Sequence, residues 1–150
     1  VHNLCPEMEH RLFCREPVSC VCNPSHPLAG QTVSLSQLQR ENIVYREKDS
    51  HAYDVLKHAF QRLGYDLDTF NISLETGSMY SCIQYLKTSQ SISFLYHCAV
   101  EESLKNHDLS LIQVKEYKET VDFYCIYPRT LKTAEIPRDF LAFCLAQQLL

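Results

Sequence analysis

The feature that most constrains the fold is a stripe of apolar side chains between residues 50 and 63. They recur three, four, seven, eight and eleven positions after the first, which is the spacing of one helix face. The members of the stripe are Ala52, Val55, Leu56, Ala59, Phe60 and Leu63. Asp49 or Ser50 suits the N-cap, and Gly64 suits the left-handed position after the helix. The pattern predicts an amphipathic helix with one buried face.

Short apolar segments on both sides of this helix predict strands, because they are rich in β-branched and aromatic residues. They cover residues 17–22, 42–45, 67–75, 91–96, 109–114 and 121–127. Further helices are predicted after Ser34, after Thr76-Gly77-Ser78, at residues 99–106 and from Pro137 onwards. Residues 1–10 are polar and are predicted to be irregular. The alternation of strands and helices predicts an α/β fold, with a mostly parallel sheet and helices on both faces.

Length and charge narrow the classes of protein to which this chain can belong. A chain of 150 residues suits one domain, or two small lobes. Eighteen acidic and 14 basic residues give a formal charge of −4, which disfavours nucleic-acid binding by this chain alone. The apolar runs are far shorter than a membrane span, and residues 1–25 lack the apolar core of a signal peptide. We therefore expect a cytoplasmic protein without membrane contact.

The settings of the cysteines also favour a cytoplasmic protein. The eight cysteines are Cys5, Cys14, Cys20, Cys22, Cys82, Cys98, Cys125 and Cys144. Cys20 and Cys22 lie in an apolar segment, where a free thiol packs as a small hydrophobic group. Their spacing differs from the Cys-x-x-Cys of redox and zinc sites. We expect reduced, structural cysteines.

Catalytic and metal-binding motifs are missing from the sequence. There is no phosphate-binding loop, no Gly-x-Gly-x-x-Gly, no Gly-x-Ser-x-Gly and no His-Glu-x-x-His. His51 and His58 are seven residues apart, or about two helical turns, which is too far for a shared metal ion. His97 and Cys98 are adjacent after a predicted strand, so as strand residues they would point to opposite faces. We expect no metal site, no cofactor and no catalytic residues.

Two predicted helices begin directly after strands and are candidates for binding a ligand. One start contains Ser50 and His51, and the other contains Thr76, Gly77 and Ser78. Each start offers free amides and the positive end of a helix dipole. In an open α/β sheet both would lie at the carboxyl ends of strands, where ligands collect. Plain helix capping is the alternative explanation for these hydroxyl residues.

The order of several motifs resembles the effector-binding region of LysR-type transcriptional regulators, over residues 12–147. The motifs are Ser25-His26-Pro27-Leu28-Ala29-Gly30, Leu35-Ser36-Gln37-Leu38, Asn42-Ile43-Val44-Tyr45-Arg46-Glu47-Lys48-Asp49-Ser50, Leu74-Glu75-Thr76-Gly77-Ser78, Ile92-Ser93-Phe94-Leu95, Ala99-Val100-Glu101-Glu102-Ser103-Leu104 and Phe123-Tyr124-Cys125-Ile126-Tyr127-Pro128-Arg129. The amphipathic helix that ends at Gly64 stands between the third and the fourth of them.

The resemblance implies two Rossmann-like lobes of the type 2 periplasmic-binding-protein fold, joined by crossing strands at residues 16–23 and 121–128. Residues 24–120 would form the complete second lobe. Residues 1–23 and 121–150 would supply the crossing strands and a remnant of the first lobe with the C-terminal helix. The opening part of the first lobe and the DNA-binding helix-turn-helix of this family would precede the chain.

The resemblance also implies a function. The chain would sense a small-molecule effector, often an anion in this family, in a cleft between the lobes. Ser50, His51, Thr76, Gly77 and Ser78 would line the second-lobe side of the cleft. The effector would control DNA binding by the missing N-terminal domain, in a homodimer or homotetramer of the full-length protein. A solute-binding protein of a transporter and a small α/β enzyme that uses Cys98 or His97 are the alternatives.

Two departures from the family pattern bear on this prediction. The family has a Gly-x-Gly turn where this chain has Thr88-Ser89-Gln90-Ser91, so a left-handed turn would need a non-glycine residue or be avoided. His51-Ala52-Tyr53 also replaces the small residues that usually follow Ser50. The second difference weakens the expectation of a pocket for a small anion.

Overall fold

A computed structural model of the chain describes residues 6–131, 139–140, 142–143 and 146. Its strands are β1 (Met8–Cys22), β2 (Thr32–Val33), β3 (Asn42–Arg46), β4 (Asn71–Thr76), β5 (Ser91–Tyr96), β6 (Ser110–Val114) and β7 (Thr120–Pro128). Its helices are α1 (Leu35–Leu38), α2 (His51–Arg62), α3 (Met79–Thr88) and α4 (His97–Lys105). Short 3₁₀ turns cover Leu67–Thr69 and Arg129–Leu131.

The chain divides into two compact units. The first contains Val1–Glu16 and Asp122–Leu150, and the second contains Pro17–Val121. The described part of the first unit consists of the beginning of β1, the end of β7 and the residues after it. There Arg15 Nε lies 3.0 Å from Asp122 Oδ1, and Arg129 Nε lies 3.3 Å from Glu9 Oε1. The assignment of these units to the two lobes of a regulator stays a prediction.

The second unit is an α/β sheet in the strand order β2-β6-β1-β5-β3-β4. The pairs β2–β6, β3–β4 and β3–β5 are parallel. β1 runs antiparallel to both of its neighbours, β5 and β6. The strands that precede α2, α3 and α4 therefore all point the same way, and the starts of these three helices lie at one edge of the sheet. This architecture confirms the predicted α/β fold.

The core of the second unit lies on both faces of the sheet, as the apolar patterns predict. On one face Phe60 of α2 is fully buried, and its ring lies 5.1 Å from that of Phe70 and 5.4 Å from that of Phe94. On the other face Leu86 of α3 and Val100 of α4 pack with Val21 and Val44. Helices on both faces confirm that the apolar stripes of the sequence mark buried surfaces.

Local signals in the sequence correctly predict how several elements begin and end. Ser50 caps α2, and Gly64 takes a φ of 81° after its end. The chain ahead of β5 avoids a left-handed turn, because Ser89 at the end of α3 has a φ of −113°. Among the described residues other than glycine, a positive φ occurs at His107, with a value of 58°.

Some sequence-based boundaries are wrong. β1 begins at Met8, inside the segment predicted to be irregular, because pairing with β7 supplies ladder hydrogen bonds to a polar sequence. Residues 67–69 form a 3₁₀ turn rather than the start of β4, since the Asp66 side chain accepts from the amide of Asp68. Helix α4 begins at His97, two residues earlier than predicted, so His97 and Cys98 share a helix rather than a strand.

The predicted C-terminal helix falls largely outside the described residues. Residues 139–140, 142–143 and 146 are helical, whereas Pro137 and Cys144 lie outside the description. Within the part of the chain that is described, no helix combines the length and the hydropathy that a membrane span requires.

Candidate functional site

The predicted site residues lie at the starts of α2 and α3. Ser50 is the N-cap of α2, and its Oγ accepts from the amide of Tyr53 at 3.2 Å. Ser78 is the N-cap of α3, and its Oγ accepts from the amide of Ser81 at 3.2 Å. Each hydroxyl keeps its own hydrogen, so it can donate to a ligand oxygen while it caps the helix. Capping and ligand binding are therefore compatible at both serines.

The pairing of β3 with β4 brings these two helix starts together. The strands are parallel, and Arg46 lies opposite Thr76 at the end of the ladder. The connection beyond the ladder continues this pairing, because the amide of Glu47 donates to the carbonyl of Thr76 at 3.3 Å. Ser50 and Ser78 follow these positions by a few residues. The structure thus brings the two predicted segments to neighbouring places at one edge of the sheet.

The other three predicted residues frame the same edge. Thr76 is the last residue of β4, and its Oγ1 accepts from the amide of Ser78 at 3.2 Å. Gly77 and His51 are exposed. An imidazole at the first position of α2 adds a donor that becomes cationic on protonation.

Glu47 is a residue of this site that the sequence analysis missed. A Cβ atom on Gly77 would lie 2.5 Å from Glu47 Oε2, so the carboxylate occupies the space in front of the glycine. Oε1 lies 3.0 Å from Nη2 of Arg46, whereas Oε2 is buried without a hydrogen-bond partner among the described residues. The chain therefore places a carboxylate of its own at the start of α3.

The carboxylate of Glu75 also lies near these helix starts. Glu75 Oε1 accepts from the amide of Lys48 at 3.3 Å, which ties the end of β4 to the turn before α2. Two acidic groups near two helix N-termini offset part of the positive potential of the dipoles. The arrangement is thus less favourable for a free small anion than helix geometry alone suggests.

The Glu47 carboxylate, thirty positions earlier in the chain, lies in front of Gly77. A β-carbon at position 77 would displace this carboxylate, which is the end of a flexible side chain and can move aside. The local signal available was the Thr-Gly-Ser sequence, which indicates a helix start but not which side chain approaches the glycine. Contact between distant residues depends on strand order, which periodicity does not reveal.

Other titratable groups do not form a metal centre in the described part of the chain. No group of three His, Cys, Asp or Glu residues there has the geometry to hold a metal ion. His97 Nδ1 lies 3.0 Å from Ser19 Oγ. Burial raises the pKa of Cys22 to about 11, helped by the Glu41 carboxylate, so its thiol stays protonated and unreactive at neutral pH.

Comparisons with known proteins agree with this architecture. The RuBisCO operon transcriptional regulator of Allochromatium vinosum is 23% identical over 142 residues, which are 94% of this chain and 46% of that protein. The chain thus spans about half the length of this relative.

Solved structures show the same fold. The CcmR regulatory domain of Synechocystis PCC6803 in complex with 2-PG has a TM-score of 0.79 and 22% identity, over 93% of this chain and 66% of that one. The regulatory domain of NMB2055 (MetR), a LysR family regulator from N. meningitidis, has a TM-score of 0.76 and 12% identity, over 99% of this chain and 68% of that one. At these identities the likeness establishes the fold.

The sequence of this chain also matches the model of a known protein family. The model of the LysR substrate binding domain matches residues 3–149, which is nearly the whole chain. The match favours the regulator interpretation over the solute-binding and enzyme alternatives. This chain belongs to the LysR substrate binding domain family.

Proposed function

We propose that this chain is the effector-sensing part of a LysR-type transcriptional regulator. In the whole protein, a small molecule bound here would control DNA binding by a domain outside this chain. Membership of the family supports the regulatory role. The observation that carries the binding site is the pair of serine-capped helix starts on adjacent parallel strands, at Ser50 and Ser78.

The proposed site binds oxygen atoms of the effector. The hydroxyls of Ser50 and Ser78 donate to them, and the amides of the first turns of α2 and α3 add the positive ends of two dipoles. His51 contributes a charge-assisted hydrogen bond when it is protonated. Thr76 and Gly77 complete the wall between the two serines.

The proposed effector is a small anion whose binding is weakened by Glu47. The structurally similar CcmR regulatory domain of Synechocystis forms a complex with 2-PG, so we choose 2-PG as the first probe for this chain. The carboxylate in front of Gly77 repels an anion unless Arg46 neutralises it through their 3.0 Å ion pair. The balance between Arg46 and Glu47 then sets how strongly an anion binds.

Further features of the whole protein follow from the family. We propose that residues 24–120 act as the second lobe and that residues 1–23 and 121–150 belong to the crossing strands and the first lobe. The whole protein would be a cytoplasmic homodimer or homotetramer. The free thiols of Cys14, Cys20, Cys22 and Cys82 agree with a reducing compartment. Light scattering of the purified whole protein measures its oligomeric state.

Serine-to-alanine variants test the site. In the intact protein, Ser50→Ala or Ser78→Ala should weaken binding of 2-PG and of sulfate about tenfold, since each loses a hydrogen bond to a charged group. Titration calorimetry measures the affinity, and DNA binding without effector should stay unchanged. Ser34→Ala is the matched control, because Ser34 is also an N-cap serine but precedes α1.

The double variant decides between ligand binding and capping. If Ser50→Ala, Ser78→Ala and their combination bind both probes as the unmodified protein does, the hydroxyls only cap the helices and the site assignment fails. A loss that Ser34→Ala reproduces would show a general effect on stability instead, and it too would contradict the assignment.

A further inference from the structure

A cavity lies beside α1, at the opposite end of β3 from the starts of α2 and α3. Its volume is about 430 Å³, which is within the usual range of small-molecule sites. The residues that line it are Leu28, Ser36, Gln37, Arg40 and Glu41. Glu41 directly precedes β3, whereas Glu47 directly follows it. About 20 Å of extended chain therefore separates this cavity from the proposed effector site.

A buried histidine holds the carboxylate of Glu41 at this cavity. The side chain of His26 is 1% exposed, and its Nδ1 accepts from the amide of Leu28 at 3.1 Å. The proton of the ring is therefore on Nε2, which lies 3.3 Å from Glu41 Oε2. The Glu41 side chain is 27% exposed, and its Oε1 accepts no hydrogen bond from the described part of the chain. One oxygen of a fixed carboxylate is thus left for a ligand.

Arg40 brings the opposite charge to the same cavity. The residue is exposed and forms no ion pair within the described ranges, with Glu41 or with any other residue. A guanidinium can donate to both oxygens of a carboxylate at once. Gln37 adds a further donor, because its Oε1 already accepts from the amide of Ser34 at 2.8 Å and its NH₂ group remains. The cavity offers donors to a carboxylate and an acceptor to an ammonium group.

The two charges of the lining restrict the class of ligand. Glu41 repels a simple anion, and Arg40 repels a simple cation. A molecule that carries an ammonium and a carboxylate close together pairs with both side chains, and an α-amino acid carries the two groups on one carbon atom. Leu28 is half-buried and supplies apolar surface for the side chain of such a ligand.

We propose that the cavity beside α1 is a second ligand site, which binds an α-amino acid with an apolar side chain. The carboxylate of the amino acid pairs with Arg40 and Gln37, its ammonium pairs with Glu41, and its side chain packs on Leu28. The site goes beyond the proposed function, since it lies at the other end of β3 and takes a zwitterion rather than an anion.

Three ligands of similar shape test the proposal in the intact protein. L-leucine has both charged groups, 4-methylpentanoate lacks the ammonium, and 3-methylbutylamine lacks the carboxylate. We expect leucine to bind about tenfold more tightly than either of the others, as the loss of one charged hydrogen bond accounts for. Titration calorimetry measures the affinities, and amide shifts in NMR spectra at Leu28 and Gln37 locate the bound ligand.

Two variants test the two charges separately. Arg40→Gln should abolish the preference for leucine over 3-methylbutylamine, and Glu41→Gln should abolish the preference for leucine over 4-methylpentanoate. In each variant the analogue that lacks the matching group should bind no more weakly than to the unmodified protein. Arg11→Gln is the matched control, because Arg11 is also an exposed arginine but does not line this cavity. It should retain both preferences.

Several outcomes would overturn the proposal. Equal affinities for the three ligands in the unmodified protein would show that the cavity distinguishes neither charge. Preferences that survive Arg40→Gln and Glu41→Gln, or amide shifts confined to the starts of α2 and α3, would place leucine elsewhere. Absence of leucine binding at about 10 mM would exclude the site. Serine-to-alanine variants at positions 50 and 78 should leave leucine binding unchanged, so this test fails or succeeds separately from the proposed function.

Discussion

We expect individual charges near the starts of α2 and α3 to decide which ligand the proposed site accepts. The sequence supplies hydroxyls at Ser50 and Ser78, which favour an anion. The structure adds the Glu47 carboxylate, which opposes one, and Arg46, which lies 3.0 Å from it. At this scale we expect the selectivity of the site to result from a balance of full charges, with the helix dipoles as a smaller contribution.

Removal of the charge on Glu47 should strengthen anion binding. We expect Glu47→Gln to bind 2-PG and sulfate about three- to tenfold more tightly, because a like charge near the ligand is removed and Arg46 is released. Titration calorimetry at low ionic strength checks the affinity. Glu102→Gln removes a charge from an exposed position of α4 and is the control. Unchanged or weaker binding in Glu47→Gln would place the anion elsewhere.

The free energy of unfolding should fall above pH 10, because Tyr45 is buried as a neutral phenol. Burial, together with the nearby Tyr53 and Glu75, raises the pKa of Tyr45 from 10.0 to about 12. Between these two values the unfolded chain releases a proton that the folded protein retains, so stability falls as the pH rises from 10 to 12. The loss amounts to about 2–3 kcal/mol over this range, at 1.36 kcal/mol for each pH unit.

Denaturant titrations across this pH range test the role of Tyr45. The free energy of unfolding of Tyr45→Phe should fall less steeply above pH 10 than that of the unmodified protein. Tyr80→Phe changes a tyrosine that is 72% exposed and should leave the slope unaltered. Identical slopes in all three proteins would contradict the raised pKa of Tyr45.

The helices and strands form where local patterns agree with tertiary packing. The apolar stripe of α2 has Leu56 2% exposed and Phe60 fully buried, as its spacing predicts. The ring of Phe60 contacts aromatic rings from three other segments, namely Phe70, Phe94 and Tyr117. Phe60 therefore anchors helix α2 to the sheet together with Tyr53, Leu56 and Ala59.

Truncation of Phe60 should destabilise the chain strongly. Phe60→Ala is expected to cost about 3–5 kcal/mol of unfolding free energy, and Leu56→Ala about 2–5 kcal/mol, because cavities would remain among rigid neighbours. Gln61→Ala, at an exposed position of the same helix, should change stability by less than about half a kcal/mol. Denaturant unfolding checks the order of these values, and a small effect of Phe60→Ala would mean that α2 does not pack on the sheet.

At the scale of the whole molecule, the net charge disfavours DNA binding by this chain. The chain carries a net charge of −4 and belongs to the substrate binding domain of its family. We expect it not to shift duplex DNA in a gel at about 10 μM and 0.15 M salt, where basic proteins bind without sequence preference. Binding that weakens steeply with added salt would reveal a basic surface that the composition hides.

Sequence patterns alone determined most elements of this protein, together with the positions of Ser50 and Ser78 at helix starts. Periodicity and capping depend on residues within one or two turns of each other, so they can be read along the chain. The family resemblance correctly identified the fold. The prediction that Ser50, His51, Thr76, Gly77 and Ser78 bind an effector stays untested.

Only the tertiary structure decided which strands are neighbours and which distant groups meet. The parallel pairing of β3 with β4 brings Glu47 against Gly77, thirty positions later. The amide of Val18 in β1 donates to the carbonyl of Glu119, about a hundred positions later. Neither contact leaves a periodic signal, because strand order is selected by the packing of the whole sheet rather than by any segment within it.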